Sequence, residues 1–377
     1  MPERFQGNES HVPTPHERNA NAVPEPFPIG TAATAVRERP AGNVPFGTRF
    51  ALDVPETDAG AEARAEAERS YLDPDRQISL VEVDGVEVPV LRFDIADFPM
   101  NTEFTATLDT EWAGALRVGH RSLDLSRISG IYYRRPLPFT FPDDMTETHR
   151  EWAAVEAKLG FLGTLAAVPQ WLNHPARIAN AEYKPLQLRL AKALGMLVPQ
   201  AIVTNVPADA RSFAESVGEV IYKPFSPRGV IEGGRQRLLY TVKVTPEQLD
   251  DPGISLTAHM VQEWIPHTHA IRMTVVDGAC FTAEIHSDSP AADLDWRSDY
   301  ESLTYKVTTP SAQVRNAVTA FMNELGLRFG ALDFLVTPSG EWVFLEVNPN
   351  GQWAWIKELA PDIARALATA LEKSPND

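Results

Sequence analysis

The chain has one cysteine, Cys280, in 377 residues. That excludes an intramolecular disulfide and any cysteine-rich metal site. No uninterrupted apolar run approaches membrane-spanning length, and the N-terminus lacks the basic-then-apolar order of a secretory signal. A cytoplasmic protein with no membrane partner is expected. Positive charge is scarce as well: 34 Lys and Arg face 51 Asp and Glu, a formal net charge of −17. This argues against nucleic acid as a partner, although a few local cations can still hold a nucleotide inside an acidic protein. Two ATP-binding signatures are missing. Without Gly-x-x-x-x-Gly-Lys-Ser/Thr there is no P-loop, and without His-Arg-Asp or Asp-Phe-Gly there is no protein kinase.

What is present is clearest between Arg328 and Gly351. Apolar residues run up to Val336 and resume at Trp342, and Thr337-Pro-Ser-Gly340 between them is turn chemistry, so the stretch predicts a hairpin. Glu346 and Asn348 are two residues apart and share a face of the second strand. A tight turn brings Asp333 roughly opposite Glu346. Two carboxylates and an amide oxygen then converge, a hard-oxygen set suited to Mg²⁺. Carboxylates inside otherwise apolar strands are costly unless they are used.

Length and composition, 44% hydrophobic and 23% charged, suit a globular protein of two or three domains. Residues 1–70 read as a disordered tail, poor in periodic apolar residues from 1 to about 45 and acidic and Ala-rich after Asp53. Within it, Phe46, Phe50 and Leu52 surround Arg49, a pattern able to dock as a short element. Residues 71–142 read as a small, mostly-β or α/β domain with an Asp84-Gly85 hairpin turn and a buried-strand candidate at Ile128–Tyr133. Residues 143–180 form a helical connection, with Trp152, Val155, Leu159, Leu162 and Leu165 on one side of a helix from Thr146 to Val168. In 181–265 a helix from about Ala181 to Leu194 carries Lys184, and a strand from Glu219 to Phe225 carries Lys223 before a glycine-bearing loop. Leu238–Val244 reads as a further strand. In 266–377, Ala270–Val276 carries Arg272, Asp293–Tyr305 reads as loop, and a helix at Ser311–Leu325 precedes the hairpin. The fold class is α+β or α/β, with two β-rich lobes.

Cations for phosphate oxygens and hard oxygens for Mg²⁺ are what ATP requires. The order of Lys184, Lys223 before a Gly loop, Gln262-Glu-Trp-Ile265 and a distal Asp333…Glu346-Val-Asn348 resembles the ATP-grasp superfamily. More narrowly, the chain resembles the ATP-grasp peptide maturases that make graspetides, the microviridin-type ω-ester or ω-amide peptides. The matching stretches are Tyr132-Tyr-Arg-Arg-Pro136, Asn173-His-Pro, Lys184-Pro-Leu-Gln-Leu188, Val203-Thr-Asn205, Tyr222-Lys-Pro224, Gln262–Ile265, Asp295-Trp-Arg297 and Leu345–Trp353.

That resemblance implies ATP and Mg²⁺ as cofactors and a ribosomal precursor peptide as partner. Adenine would lie against the hinge backbone at Glu263, Trp264 and Ile265. Lys184 and Lys223 would meet the α- and β-phosphates and Arg272 the γ-phosphate. Asp333, Glu346 and Asn348 would hold the metal, and Arg297 with Arg134 and Arg135 would position the acceptor carboxylate. The implied reaction turns an Asp or Glu side chain into an acyl phosphate for attack by a Thr or Ser hydroxyl or a Lys amine. Pro45-Phe46-Gly-Thr-Arg49-Phe50 further resembles the recognition motif of a microviridin-type leader. Beside it, the first strand and helix usual in these maturases are not clear. A leader held in cis is therefore an expectation beside one supplied in trans, and a homodimer is left open. Other readings are an ATP-grasp carboxylate–amine ligase and a non-catalytic leader- or nucleotide-binding fusion protein.

Overall fold

The first elements described are short strands. The computed structural model describes residues 51–53, 80–83, 86–134, 136–168, 171–225, 230–232, 235–289, 294–296 and 302–372, all within the unit Gly42–Asp377. The expected disordered tail, the leader-like Pro45, Phe46, Arg49 and Phe50, and the candidates Arg135 and Arg297 lie outside the described residues. Strands β1 (Ala51–Asp53), β2 (Leu80–Val83) and β3 (Val86–Pro89) come first, with β2 and β3 paired across Asp84-Gly85. A meander follows, of β4 (Thr102–Leu108), β5 (Trp112–Val118) and β6 (Arg121–Asp124). Its core holds Leu116, Phe161, Leu165 and Trp171, with Phe161 stacked on Phe98 at 4.5 Å. Ile128–Tyr133 is not a strand. Only Ile131 bridges, to Trp171, and Pro136 and Pro138 beyond it cannot extend a ladder.

The expected long helix is three pieces: α1 (Glu147–Glu156), a π-wound segment (Ala157–Leu162) and α2 (Gly163–Ala166). Of the expected face Leu165 is buried and Leu162 packs on the core, but Trp152, Val155 and Leu159 are exposed, and Ala157 and Phe161 are buried in their place. The π winding turns Phe161 into the aromatic core, which decides the face. Helix α4 (Lys184–Ala193) is the helix expected from about Ala181 to Leu194, with Pro185 preset for its first turn, and a short helix α3 (Pro175–Ala181) precedes it.

Two sheets then build the rest. The first, in order β11-β8-β12-β7, joins β7 (Ala201–Thr204), β8 (Val220–Tyr222), β11 (Val242–Val244) and β12 (His259–Glu263), with α5 (Pro207–Val217) packed on one face. Between β8 and β11 the chain makes a hairpin of β9 (Val230–Glu232) and β10 (Arg235–Leu239), and β1 adds antiparallel to the outer edge of β10. The strand expected at Leu238–Val244 thus divides between two sheets. It breaks where the Thr241 N–H donates to the Asp295 carboxylate at 3.3 Å.

The second sheet, in order β15-β14-β13-β16-β17, joins β13 (His269–Val276), β14 (Ala279–Ser287), β15 (Leu303–Thr308), β16 (Phe329–Val336) and β17 (Trp342–Asn348). Leu303–Tyr305, read as loop, opens β15, where Leu303 is buried and Thr304 and Lys306 face outward. Helix α6 (Ala312–Leu325) is capped by Ser311, whose side chain accepts from the Val314 N–H, and it ends at left-handed Gly326. Its Val318, Phe321, Met322 and Leu325 join Ile271, Leu332 and Phe344 in the largest core. Helix α7 (Ala360–Glu372) covers part of the opposite face through Ile363 and Leu367.

Candidate active site

The hairpin β16–β17 explains how acids enter an apolar sheet. Asp333 pairs with Glu346, and the register then shifts so that Phe334 pairs with Phe344. Leu345 is the extra residue. In a regular strand Phe344 and Glu346, two apart, would share a face. The bulge instead lets Phe344 and Val347 both enter the core, while Glu346 faces Asp333 on the cleft side.

Every charge there is paired, and all but half-buried Lys184 are buried. Arg272 is 5% exposed, Asp333 8% and Glu346 6%. Arg272, opposite Asp333 in the neighbouring strand, donates from Nη1 to both carboxylate oxygens, at 2.9 and 3.0 Å, and from Nη2 to the Gln352 carbonyl at 2.9 Å. Lys184, the first residue of α4, ion-pairs with Glu346. Lys223, just past β8, reaches the same Glu346 oxygen at 3.3 Å. Asn348 Nδ2 donates to Asp333 at 3.2 Å and to Glu346 at 3.4 Å. The six residues expected as phosphate and metal ligands are therefore gathered at one end of one cleft. The donor set fits a hard cation, because two carboxylates bracket one amide whose oxygen a rotation would present. Gly351 closes the pocket: an added Cβ would strike the Ala331 side chain and stand 2.9 Å from the Arg272 guanidinium.

Two amides that the sequence reading quoted without assigning a role hold this end in place. Gln187 is buried on α4, donates to the Val347 and Ala181 carbonyls at 3.0 and 2.6 Å, and accepts from the Val347 N–H at 2.9 Å. Asn173 donates to the Phe329 and Pro349 carbonyls and accepts from the Arg328 and Phe329 N–H groups. Neither the helical position of Gln187 nor the loop position of Asn173 gives a sign of these roles; only their lack of exposure does.

At the other end lies the hinge. The Glu263 N–H donates to the Gln200 carbonyl at 2.9 Å and the Trp264 N–H to the Glu219 carbonyl at 2.8 Å. The Glu263 carboxylate accepts from the Gln200 N–H at 3.0 Å, and Lys243 stands 4.3 Å over the Trp264 ring. Among the described residues, the Ile265 N–H alone of these three backbone donors has no partner. One cleft wall is Trp296, stacked on Trp355 at 5.3 Å and met by Arg272 at 5.9 Å. Exposed Arg134 stands 5.9 Å over Trp353, whose indole N–H donates to the Tyr132 hydroxyl at 3.2 Å. Burial pushes the Tyr132 hydroxyl pKa up, so it stays protonated. His269 lines the cleft, and burial first, then the tilted His286 ring at 4.7 Å, hold its pKa below the ordinary value.

A family model described as the MvdD pre-ATP grasp domain matches residues 76–179. Among solved structures, macrocyclase MdnB from Microcystis aeruginosa MRC is 30% identical over 75% of this chain and 90% of its own, with a TM-score of 0.63. The chain belongs to the ATP-grasp peptide macrocyclases, the graspetide maturases. Macrocyclase MdnC of the same organism, solved with its precursor peptide MdnA, is 29% identical over 75% of this maturase and 90% of its own chain, with a TM-score of 0.67. A RiPP-associated ATP-grasp ligase of Chryseobacterium gregarium, solved with ADP and a leader and core peptide, shares the fold at 24% identity, over 75% and 88% of the two chains, with a TM-score of 0.69. No curated protein sequence matches. As a member of this family the maturase is an ATP-dependent ligase with the ATP-grasp fold. No helix among its described residues is long and apolar enough to cross a membrane.

Proposed function

We propose that this maturase closes macrocycles in a ribosomal precursor peptide by activating Asp or Glu side chains with ATP. The observation that carries the reading is the mutually paired set of Lys184, Lys223, Arg272, Asp333, Glu346 and Asn348 at one end of a cleft between segments 181–265 and 266–377. Carboxylates are poor electrophiles at neutral pH. The substrate carboxylate takes the terminal phosphoryl group of ATP, releasing ADP. A Thr or Ser hydroxyl, or a Lys amine, then attacks the acyl carbon and releases phosphate, leaving an ester or amide and a net loss of one water from the peptide. Lys184 and Lys223 leave Glu346 to hold phosphate oxygens, and Arg272 supports the transferring group. Asp333, Glu346 and Asn348 hold Mg²⁺, which supplies charge neutralisation when bound. Stacked Trp296 and Trp355 beside Arg272 exclude water from an intermediate that hydrolyses readily. Arg134, on Trp353, and Arg297 and Arg135 orient the acceptor carboxylate. The hinge gives the Ile265 N–H to the base edge.

Mass spectrometry of a precursor peptide incubated with ATP tests this. A loss of one water per bond is expected, whereas a mass gain would indicate a ligase that adds an amino acid. Glu346→Gln is expected to abolish ADP formation, and retained turnover would remove Glu346 from the metal site.

One further observation favours a leader in cis. Residues 51–53, directly after the leader-like Pro45–Phe50, pair with β10 in the register Ala51 to Leu239 and Asp53 to Arg237. Tethering a binding element raises its effective concentration. On a leaderless core peptide, the chain lacking residues 1–70 is expected to be slower than the full chain, and equal rates would sink cis activation.

A further inference from the structure

The five-stranded sheet has two edges, and the chain treats them differently. At β17 the edge is covered: the Phe344 N–H donates to the Leu197 carbonyl at 2.8 Å, and the Gln187 amide meets both the N–H and the carbonyl of Val347. At the other edge β15 (Leu303–Thr308) pairs with β14 and with no other strand among the described residues. An edge strand turns alternate N–H and C=O groups outward, and an unguarded row of them is a template for another strand. Proteins blunt such edges with proline, a bulge or charge. Leu303–Thr308 contains no proline, and its register on β14 runs unbroken from Ser287–Leu303 to Thr282–Thr308. Its one charge, Lys306, turns back onto Glu284 of β14 at 3.1 Å, and Val307 beside it is 51% exposed.

The surroundings of this edge say what fits it. The Tyr305 side of β15 continues into the reaction end of the cleft: Tyr305 meets Trp355 edge-on at 5.1 Å, Trp355 stacks on Trp296, and Arg272 stands over Trp296. From Leu303 to Arg315 the chain carries two cations, Lys306 and Arg315, and no acid, in a protein of net charge −17. The occupant is therefore extended, acidic and continuous with what enters the cleft. We propose that β15 docks an extended segment of the acidic substrate peptide as an added strand. The inference rests on the peptide reading of the cleft and adds the surface that holds the peptide chain. Neighbouring strands lie about 4.8 Å apart, so the added strand runs roughly 14 Å from the β13 backbone that carries Arg272. At about 3.4 Å per residue, the reacting acid lies roughly four residues along the peptide from the docked stretch. Main-chain pairing asks little of side-chain identity, which suits a substrate whose side chains are the reactants.

Amide hydrogen exchange of the full chain with Mg²⁺ and ADP, with and without a synthetic peptide of alternating Thr and Glu, tests the docking. At a peptide concentration about ten times its Kd, exchange within Leu303–Thr308 should slow about tenfold. Two further peptides carry backbone N-methyl groups, one at every Glu and one at every Thr. An added strand turns alternate N–H groups to its partner, so one of these peptides should lose the protection and the other keep it. Equal behaviour of the two would overturn the strand pairing. Protection elsewhere on the chain but not at Leu303–Thr308 would overturn this edge and leave the peptide reading standing. Protection of Leu303–Thr308 without peptide, growing with protein concentration, would give the edge to a second copy and overturn the proposal. No protection anywhere would overturn it as well, and the peptide reading is then judged by its own mass-spectrometric test. None of these measurements needs a variant to fold.

Discussion

The two walls of the cleft are both antiparallel sheets, but they present opposite surfaces. The five-stranded wall brings Arg272, Asp333 and Glu346 to the cleft, each almost fully buried. The four-stranded wall contributes Ile221, Gln262 and a single cation, Lys223. The first can hold charge because helices cover it on both faces and each ion has a partner at hydrogen-bond distance. A buried ion pair adds little net stability, but losing one member of it is severe. The second wall has less core behind it, centred on α5, and offers shape and one amide. One sheet therefore holds paired charge at the cleft, and the other offers a mostly neutral surface.

The largest effect should come from breaking a pair in the charged wall. Arg272→Met leaves Asp333 buried without its bidentate partner and should cost about 3–5 kcal/mol in urea unfolding. Lys223→Met on the other wall should cost clearly less, since Glu346 keeps Lys184. Equal losses would erase the contrast between the walls. Next is Gly351→Ala. The new methyl meets Ala331 and the Arg272 guanidinium, so a loss of about 1–3 kcal/mol is expected, with turnover falling further than stability because Arg272 must shift. Unchanged turnover would show that the guanidinium has slack.

The smallest effect belongs to the mostly neutral wall and depends on pH. Burial holds the His259 pKa below its ordinary value. The unfolded chain takes a proton near pH ~6.5 while the folded chain resists, so the stability from neutral His259 is complete above that pH and is lost as pH falls below it. Melting temperatures at pH 7.5 and 5.5 should therefore differ more for the unaltered protein than for His259→Phe. Identical differences would mean that burial does not hold His259 neutral.

The carboxylate end of the cleft was legible from Arg328 to Gly351 because its signals are local. Thr-Pro-Ser-Gly specifies a turn, period two sets the faces, and Asp333 does stand opposite Glu346. The Leu345 bulge was not legible, since it arises from Phe344 and Val347 competing for one core that only the folded chain defines. Exposed Trp152, Val155 and Leu159 misled for a related reason. Their helical spacing is real, but a π turn rotates Phe161 inward to meet Phe98. Gln187 and Asn173 look like ordinary polar helix and loop residues until the strand backbone they bind is known.

Asn173 has a consequence for how such chains recombine. Its one side chain meets two carbonyls and two N–H groups spread from Arg328 to Pro349, more than 150 positions away. The region before the cleft and the hairpin at its far end are therefore held together by one side chain. A chimera joined after residue 180 keeps function only when the segment from Trp171 to Pro175 and the hairpin come from compatible parents. A junction that breaks this match leaves four backbone groups without partners under the catalytic floor.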